Sequence, residues 1–422
     1  MNYTGDEQET ENDEVWAITS IRVAPRRRDA RSNRRVAMRR IALLRIWKMA
    51  MTTLRSAEYP AQRPAIIDIS MDKEEPKEER KDYSQQTFAK LRKVRFLPYG
   101  SRLLWLGYSD GRCASLWKRS DGDDDIEDPF EELCRLPLDA DPFDMCTCGP
   151  GLTCVSFTSG DLSILDNTND KLIKVKDIKN VHGKGDSRVI SGFGSHNIVS
   201  GSSNGSLVKV DVESGNITVL YKGNSGIRSL TTLAGGTLLA SGHSAGQVLI
   251  WDCRSPTFSK PSIVCVPSKR RLDAITTLTN HPAQASLLSL GTDLGTVGFC
   301  DVRGVAHDLI INSFDVATST ITQVEFHPEC GDHLVCASAD GSLVHWDVSS
   351  VNINCPSTGT RQSPWLSDSL SQNVELDTLR SPVFGSVNGF GIEGISVVAA
   401  IDMCMLYMYE NVSFPIGTAA HH

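Results

Sequence analysis

The feature that most constrains the fold is a pair of short strands that recurs along the chain. Six segments share an apolar strand, a step of small residues, a turn that contains Gly and a second alternating strand. They occupy residues 103–117, 152–166, 198–211, 238–252, 287–301 and 334–347. Because alternation around Asp-Gly or Asn-Gly turns is typical of a β-hairpin, each segment predicts one hairpin.

The spacing of these hairpins predicts the architecture. Consecutive turn glycines are 41 to 49 residues apart. They are Gly111, Gly160, Gly205, Gly246, Gly295 and Gly341. A unit of about 40–50 residues with three visible strands and room for a fourth is typical of a propeller blade. A seventh copy at 395–410 keeps Asp402 but has lost the Gly. The sequence therefore predicts an all-β, seven-bladed β-propeller.

The hairpin ends carry the candidate signature residues of the repeat. Two hairpins end in Trp-Asp, and two others keep the Asp alone. These residues are Asp211, Trp251, Asp252, Asp301, Trp346 and Asp347. We expect the large aromatic side chain to fill the gap between neighbouring blades and the Asp to cap the turn that follows. Trp-Asp endings are typical of WD repeats, which makes the predicted fold a WD-repeat propeller.

The predicted domain organisation has three parts. Residues 1–83 are a charged N-terminal extension that we expect to be disordered, 84–415 form the propeller and 416–422 form a tail. A polar insertion at about 350–380 lengthens the last repeat interval. A strand drawn from 85–92, with Gln85, Thr87, Phe88 and Leu91, is expected to complete the last blade, because an uncovered sheet edge invites aggregation.

Charge is distributed unevenly along the chain. The net charge is −8, with +2 on residues 1–83 and −10 on 84–422. The acidic body argues against nucleic-acid binding over the whole surface. The basic block at 22–48 is the exception, with eleven Lys or Arg and one acid. It is open to three interpretations: a nuclear-localisation or nucleic-acid patch, a basic amphipathic helix on a membrane surface or partner, or a segment with no dedicated role.

Several classes of function lack support in the sequence. No apolar run approaches the ~20 residues of a membrane span. The twelve cysteines include no Cys-x-x-Cys pair, so we expect reduced thiols and neither a metal nor a cofactor. His281 and His327 each precede Pro at one blade position, which favours turn or packing roles over ligation.

Three serines match the G-x-S-x-G pattern of esterases, namely Ser109, Ser203 and Ser244. An esterase nucleophile is followed by a helix, whereas each of these is followed by a predicted strand at the same point of the repeat. The pattern therefore belongs to the hairpin. We predict no catalytic residues, no enzymatic activity and no small-molecule substrate.

The body resembles the small WD-repeat nucleoporin of the Y-shaped outer-ring scaffold of the nuclear pore. The residues that carry the resemblance are GQVLIWDCR at 246–254, the run at 324–349 and SPWLSDSL at 363–370, within a similarity over about 85–412. The resemblance implies a non-enzymatic scaffold subunit at the nuclear envelope that supports pore assembly and the transport of protein and mRNA. It also implies docking on other outer-ring nucleoporins, both helical-solenoid and propeller subunits, and association with the kinetochore in mitosis.

A second function is compatible with one short motif. Trp251-Asp252-Cys253-Arg254 matches the W-D-x-R pattern of propellers that serve as substrate receptors of cullin-RING ubiquitin ligases, and Asp301-Val302-Arg303 is a partial copy. In that alternative, Arg254 would contact the adaptor of the ligase.

Overall fold

The structure is a computed structural model that describes residues 80–98, 101–120, 129–183, 185–194, 196–254, 260–265, 273–303, 311–351, 363–367 and 370–414. The chain divides into two compact units, Met1–Glu75 and Pro76–His422, and all described residues belong to the second. The predicted tail at 416–422, the basic block at 22–48 and nearly all of the predicted extension lie outside the described residues.

The described residues form seven antiparallel sheets of four strands each. The first three blades contain β2 (Lys90–Phe96), β3 (Arg102–Tyr108), β4 (Cys113–Arg119), β5 (Phe130–Pro137), β6 (Pro142–Gly149), β7 (Leu152–Phe157), β8 (Leu162–Asp166), β9 (Ile173–Ile178), β10 (Val189–Phe193), β11 (Asn197–Gly201), β12 (Ser206–Asp211) and β13 (Ile217–Lys222). Blades four to six contain β14 (Ile227–Leu233), β15 (Leu238–His243), β16 (Val248–Asp252), β17 (Ile263–Cys265), β18 (Ile275–Asn280), β19 (Leu287–Thr292), β20 (Thr296–Asp301), β21 (Ile311–Asp315), β22 (Ile321–Phe326), β23 (His333–Ser338), β24 (Leu343–Asp347) and β25 (Glu375–Arg380). Blade seven contains β26 (Val387–Glu393), β27 (Ser396–Ile401), β28 (Met405–Glu410) and β1 (Lys81–Gln86). Outside the strands are a four-residue helix α1 (Leu370–Asn373) and 3-10 turns at Ser109–Gly111, Ala234–Gly236 and Pro364–Leu366.

The order of strands within each blade defines the two faces of the ring. The first strand of every blade lines a central channel, and the fourth lies at the rim. We call "upper face" the side formed by the turns between second and third strands and by the connections that lead from one blade to the next. The opposite side is the "lower face". Apolar residues of the second and third strands fill the space between neighbouring sheets, as Phe299 of β20 does against Trp346 of β24.

The predicted seven-bladed propeller is confirmed, and all seven predicted hairpins are present. Five of the six turn glycines adopt the left-handed backbone that the turn requires, with φ from 73° at Gly246 to 91° at Gly341. Gly111 is the exception among the six. In that turn Ser109 has the positive φ, of 63°, and a Cβ on Gly111 would lie 2.8 Å from the Cβ of Ala89. Gly111 is therefore required by close packing.

The ring closes through an N-terminal strand, with different bounds from those predicted. β1 pairs with β28 from Lys81↔Glu410 to Gln86↔Met405, so Gln85 alone of the four named residues lies in it. Thr87 and Phe88 form the connection, and Leu91 is a fully buried residue of β2. The strand starts inside the segment that was predicted as extension. The prediction placed its start too late because the residues of β1 are polar. A rim strand is solvated on its outer side and carries little apolar signal.

The insertion predicted at 350–380 is also corrected. Its last part, Glu375–Arg380, is β25, the rim strand of blade six, so the extra residues lie within blade six rather than between blades six and seven. Trp365 is fully buried between blades five and six. Residues 352–362 lie outside the described part of the chain. The strand was missed because four of its six side chains are exposed.

Candidate functional site

The two signature tryptophans lie between blades. Trp251 is fully buried among residues of blade three, including Val199 and Leu207, and its indole N–H donates to Ser241 Oγ at 2.9 Å. Trp346 packs against Phe299 and Phe314 of blade five, with ring centroids 6.0 and 5.6 Å apart. Both side chains are enclosed by the protein's own core and are unavailable to a partner.

The four signature aspartates each accept a backbone N–H from the turn that follows. Asp252, Asp301 and Asp347 accept at 2.8 to 3.0 Å from the residue two positions on, and Asp211 accepts from Ser214 N at 2.7 Å. Hydrogen bonds to the ionised carboxylate stabilise the charged form, so the pKa of Asp211 and Asp252 is lowered. At Asp301 burial acts to raise the pKa, and the hydrogen bonds from Arg303 outweigh it, so that pKa is lowered as well. The shift takes the pKa of Asp252 to about 2, with the Arg254 guanidinium as the largest cause.

Arg254 is a surface residue of the lower face whose guanidinium bonds the Asp252 carboxylate of its own turn. Its Nε and Nη2 lie 2.9 and 2.6 Å from the two carboxylate oxygens, and its side chain is 73 % exposed. Arg303 makes the same contact with Asp301, at 2.5 Å. Because the same Asp–Arg contact recurs in two blades, it is a local feature of the turn. It also occupies N–H groups of the guanidinium that a carboxylate on a partner would need.

The three serines of the G-x-S-x-G matches all lie in upper-face turns, each followed by a strand. Ser244 Oγ donates to the Gly226 carbonyl at 3.2 Å, and the neighbouring His243 is hydrogen-bonded to Ser241 and Ser225 instead. No nucleophile–base contact is formed at Ser244 by the described residues.

The two histidines that precede proline brace turns on the lower face. His281 Nδ1 accepts the N–H groups of Ala283 and Gln284 at 3.1 and 3.0 Å, and His327 Nδ1 accepts those of Glu329 and Cys330. Burial lowers the pKa of His281, which keeps the accepting nitrogen unprotonated. These side chains act within the fold.

The central channel is a cavity of about 960 Å³ lined by the first strands of all seven blades. Its wall contains charges paired across blades: Lys93 Nζ lies 3.8 Å from Asp144, and Arg95 lies 3.6 Å from Glu325. Burial lowers the pKa of Lys93, against the opposing effect of Asp144. These pairs connect blade one to blades two and six.

One position of the first strand recurs around the upper mouth of the channel. In six blades the register shifts there by one residue, leaving an unpaired residue at a bulge, and in blade three Arg188 stands at the same place. We call these seven the "bulge residues". They are Arg92, Phe143, Arg188, Arg228, Thr276, Thr322 and Asn388.

In blades five to seven the bulge residue binds the next blade. Thr276 Oγ donates to Ile321 O at 2.6 Å, and Thr322 Oγ donates to Val387 O at 2.6 Å. Asn388 Nδ2 donates to Leu91 O at 2.7 Å. Because each acceptor stands just before the next bulge, these bonds link consecutive first strands around that half of the ring.

In blades one to four the bulge residues are basic or aromatic and make no such bond among the described residues. The guanidinium groups of Arg92 and Arg188 lie over the Phe143 ring, 5.0 and 5.1 Å from its centroid. Arg188 also pairs with Asp186 at 3.4 Å. Half of the channel mouth thus presents three cations, two of which stack on one ring. This site was not predicted from the sequence, although an Arg stands at or near the start of the first strand in three blades: Arg92 in β2, Arg188 just before β10 and Arg228 in β14.

Other kinds of site find no support among the described residues. No group of three or more His, Cys, Asp or Glu there is arranged to hold a metal ion. The ten cysteines whose side chains are described are free thiols. Within the same part of the chain, no helix has the length and apolar character needed to cross a bilayer.

A closed ring of seven four-stranded blades, with Trp-Asp endings in blades four and six, defines a WD-repeat β-propeller. Within that class the chain is similar to a nucleoporin. It is 26 % identical to nucleoporin Nup43 of Mus musculus over 193 residues, which is 40 % of this chain and 50 % of the relative. It is 29 % identical to nucleoporin Nup43 of Homo sapiens over 137 residues, which is 32 % of this chain and 35 % of the relative. The similarity thus spans half or less of the length of these relatives, and no protein-family model matches the chain. The protein is a WD-repeat, nucleoporin-like propeller.

Proposed function

We propose that the protein is a non-enzymatic scaffold subunit of the outer ring of the nuclear pore, in its Y-shaped subcomplex. The observation that carries the proposal is the similarity to nucleoporin Nup43 on a propeller that is closed by its own N-terminal strand. The ring supports pore assembly and nucleocytoplasmic transport by docking on helical-solenoid and propeller nucleoporins. We further propose that it resides at the nuclear envelope and joins the kinetochore in mitosis.

The construction of the propeller supports this role. A scaffold subunit needs a rigid body that keeps its shape under load, and each blade here is hydrogen-bonded or packed to its neighbours. Loops of free length on two faces and a rim then supply specificity. The serines that resemble esterase nucleophiles are turn residues, which supports a role without catalysis.

The proposal is tested by tagging the protein at its own locus, followed by imaging and affinity purification. We expect a signal at the nuclear rim and co-isolation of outer-ring nucleoporins. A diffuse signal together with recovery of a cullin and its propeller adaptor, lost on Arg254→Ala, would support the ligase-receptor alternative instead. Arg303→Ala is the matched control, because Arg303 makes the same turn contact in the next blade.

A further inference from the structure

The upper face carries a group of exposed apolar side chains beside the channel mouth. Phe88, Phe384 and Met403 are 77, 88 and 52 % exposed. They lie together, since Thr87 N donates to Cys404 O at 2.9 Å and a Cβ on Gly385 would lie 2.9 Å from Met403 Cγ. We call these three residues the "apolar patch". Contiguous exposed apolar surface of this kind marks interaction sites.

The backbone at Phe88 strengthens this interpretation. Its φ is 58°, in the left-handed region that large side chains rarely adopt. Hydrogen bonds of Thr87 to the Cys404 and Ala89 carbonyls hold the turn, and the Phe88 ring itself is exposed rather than packed. Strain held at an exposed aromatic residue is what a binding surface shows when the ring serves a partner.

The apolar patch adjoins the basic half of the mouth. Tyr108 donates to Asp402, which precedes Met403, and the Arg92 guanidinium lies 5.5 Å from the Tyr108 ring. Asp186 partly neutralises Arg188 at 3.4 Å, and Asp402 is bonded by Tyr108 and Asn388. Arg92 and Arg228 have no carboxylate within ion-pair distance among the described residues. Arg92, which Asp402 and Asp141 attract at longer range, therefore stands beside the exposed apolar side chains. Arg228 stands in blade four, on another part of the channel mouth.

We propose that the upper face binds an acidic peptide segment of a partner protein, with an aromatic or aliphatic anchor on the apolar patch. The acidic residues that flank the anchor contact Arg92 and Arg228 at the channel mouth. Charge complementarity selects this occupant, because carboxylates match guanidinium groups in geometry and charge. A nucleic acid fits less well, since its phosphates require a row of cations and the bulge residues supply three, Arg92, Arg188 and Arg228. The proposal goes beyond the role at the pore and holds for the isolated protein.

The test is a binding measurement on the purified full chain with a defined probe. The probe is a fluorescein-labelled peptide in which one Phe and one Leu precede a run of Glu and Asp. Two control peptides replace the acidic residues with Lys, or the Phe and Leu with Ala. By fluorescence anisotropy we expect saturable binding of the probe that weakens with added salt, and weaker binding of both control peptides.

Matched variants distinguish binding at the proposed site from an effect of the protein's net charge. R92E/R228E should weaken binding by about tenfold or more, whereas R254E/R303E, the same charge change on the lower face, should leave binding unchanged. F384A/M403A should weaken binding, and Val219→Ala, which truncates an exposed apolar residue of the rim, should not. The thermal midpoint of each variant shows whether it folds. R228E is measured alone as a second variant in case R92E/R228E does not fold.

Three outcomes would overturn the proposal. The first is equal binding of the acidic peptide and the Lys peptide. The second is that R92E/R228E and R228E both bind the probe as tightly as wild type does. The third is displacement of the probe by polyuridylate RNA at a lower concentration than unlabelled probe requires. Each is independent of nuclear-rim localisation, so failure here and failure of the scaffold role remain distinguishable.

Discussion

The Trp365 indole lies 4.8 Å from the Phe299 ring, so a residue of the blade-six insertion completes the core of blade five. The indole is fully buried, contacts Phe326 at 5.3 Å and donates its N–H to Gly331 O at 2.9 Å. The insertion is therefore part of the structure that joins these two blades.

Trp365→Ala should lower the free energy of unfolding by about 3–5 kcal/mol, because it leaves a large cavity between two sheets. Urea denaturation monitored by far-UV circular dichroism measures the change. Phe384→Ala removes an aromatic ring from the surface and should stay within about 0.5 kcal/mol of wild type. Equal effects of the two substitutions would show that Trp365 is not part of the core.

Thr322→Val should destabilise the ring by about 1–3 kcal/mol. Valine keeps the shape of threonine but cannot donate to the Val387 carbonyl, which is left without that partner near the channel. Thr218→Val is the matched control, since Thr218 is exposed on the rim strand β13. Denaturant unfolding of both variants decides the point, and identical midpoints would mean that the bond between blades contributes nothing.

His182 predicts a loss of stability in mild acid. Burial lowers its pKa to about 4, and its two ring nitrogens are hydrogen-bonded to Ser206 and Ser200 at 2.7 and 2.8 Å. In the unfolded chain the ordinary value is about 6.5. Between these values the unfolded state binds more protons, so the contribution is complete above pH 6.5 and decreases as pH falls towards 4.

The expected loss over that interval is about 2–3 kcal/mol for His182 alone. His182→Gln should flatten the dependence of the unfolding free energy on pH between 4 and 6.5. A remainder is expected from His345, whose pKa burial also lowers to about 4. Identical pH profiles for wild type and His182→Gln would exclude this residue as the source.

Substitutions in the hairpin turns of blades seven and six should have opposite effects on stability. Cys404 has φ of 59°, where a side chain is strained, so Cys404→Gly should leave stability unchanged or raise it by up to about 1 kcal/mol. Gly341→Ala should destabilise by about 2 kcal/mol or more, because φ is 91° and the Cβ would lie 2.2 Å from Val383 O. Thermal midpoints of the two variants measure both, and a loss of stability in Cys404→Gly would contradict the turn geometry.

The sequence by itself determined the number of blades and the position of every hairpin. These depend on local chemistry: glycines in left-handed turns, alternating side chains and a period that repeats the same unit. The bounds of the polar rim strand β1 and the existence of β25 were not predicted, because an exposed strand has no apolar alternation to reveal it.

Only the tertiary structure decided the bounds of the strand that closes the ring, where Trp365 packs and which side chains meet at the channel mouth. Arg92, Phe143 and Arg188 belong to three different blades, and their proximity follows from how the blades are arranged around one axis. Equivalent positions in a repeat come together when the ring closes. A row of residues that are far apart along the chain then becomes one site.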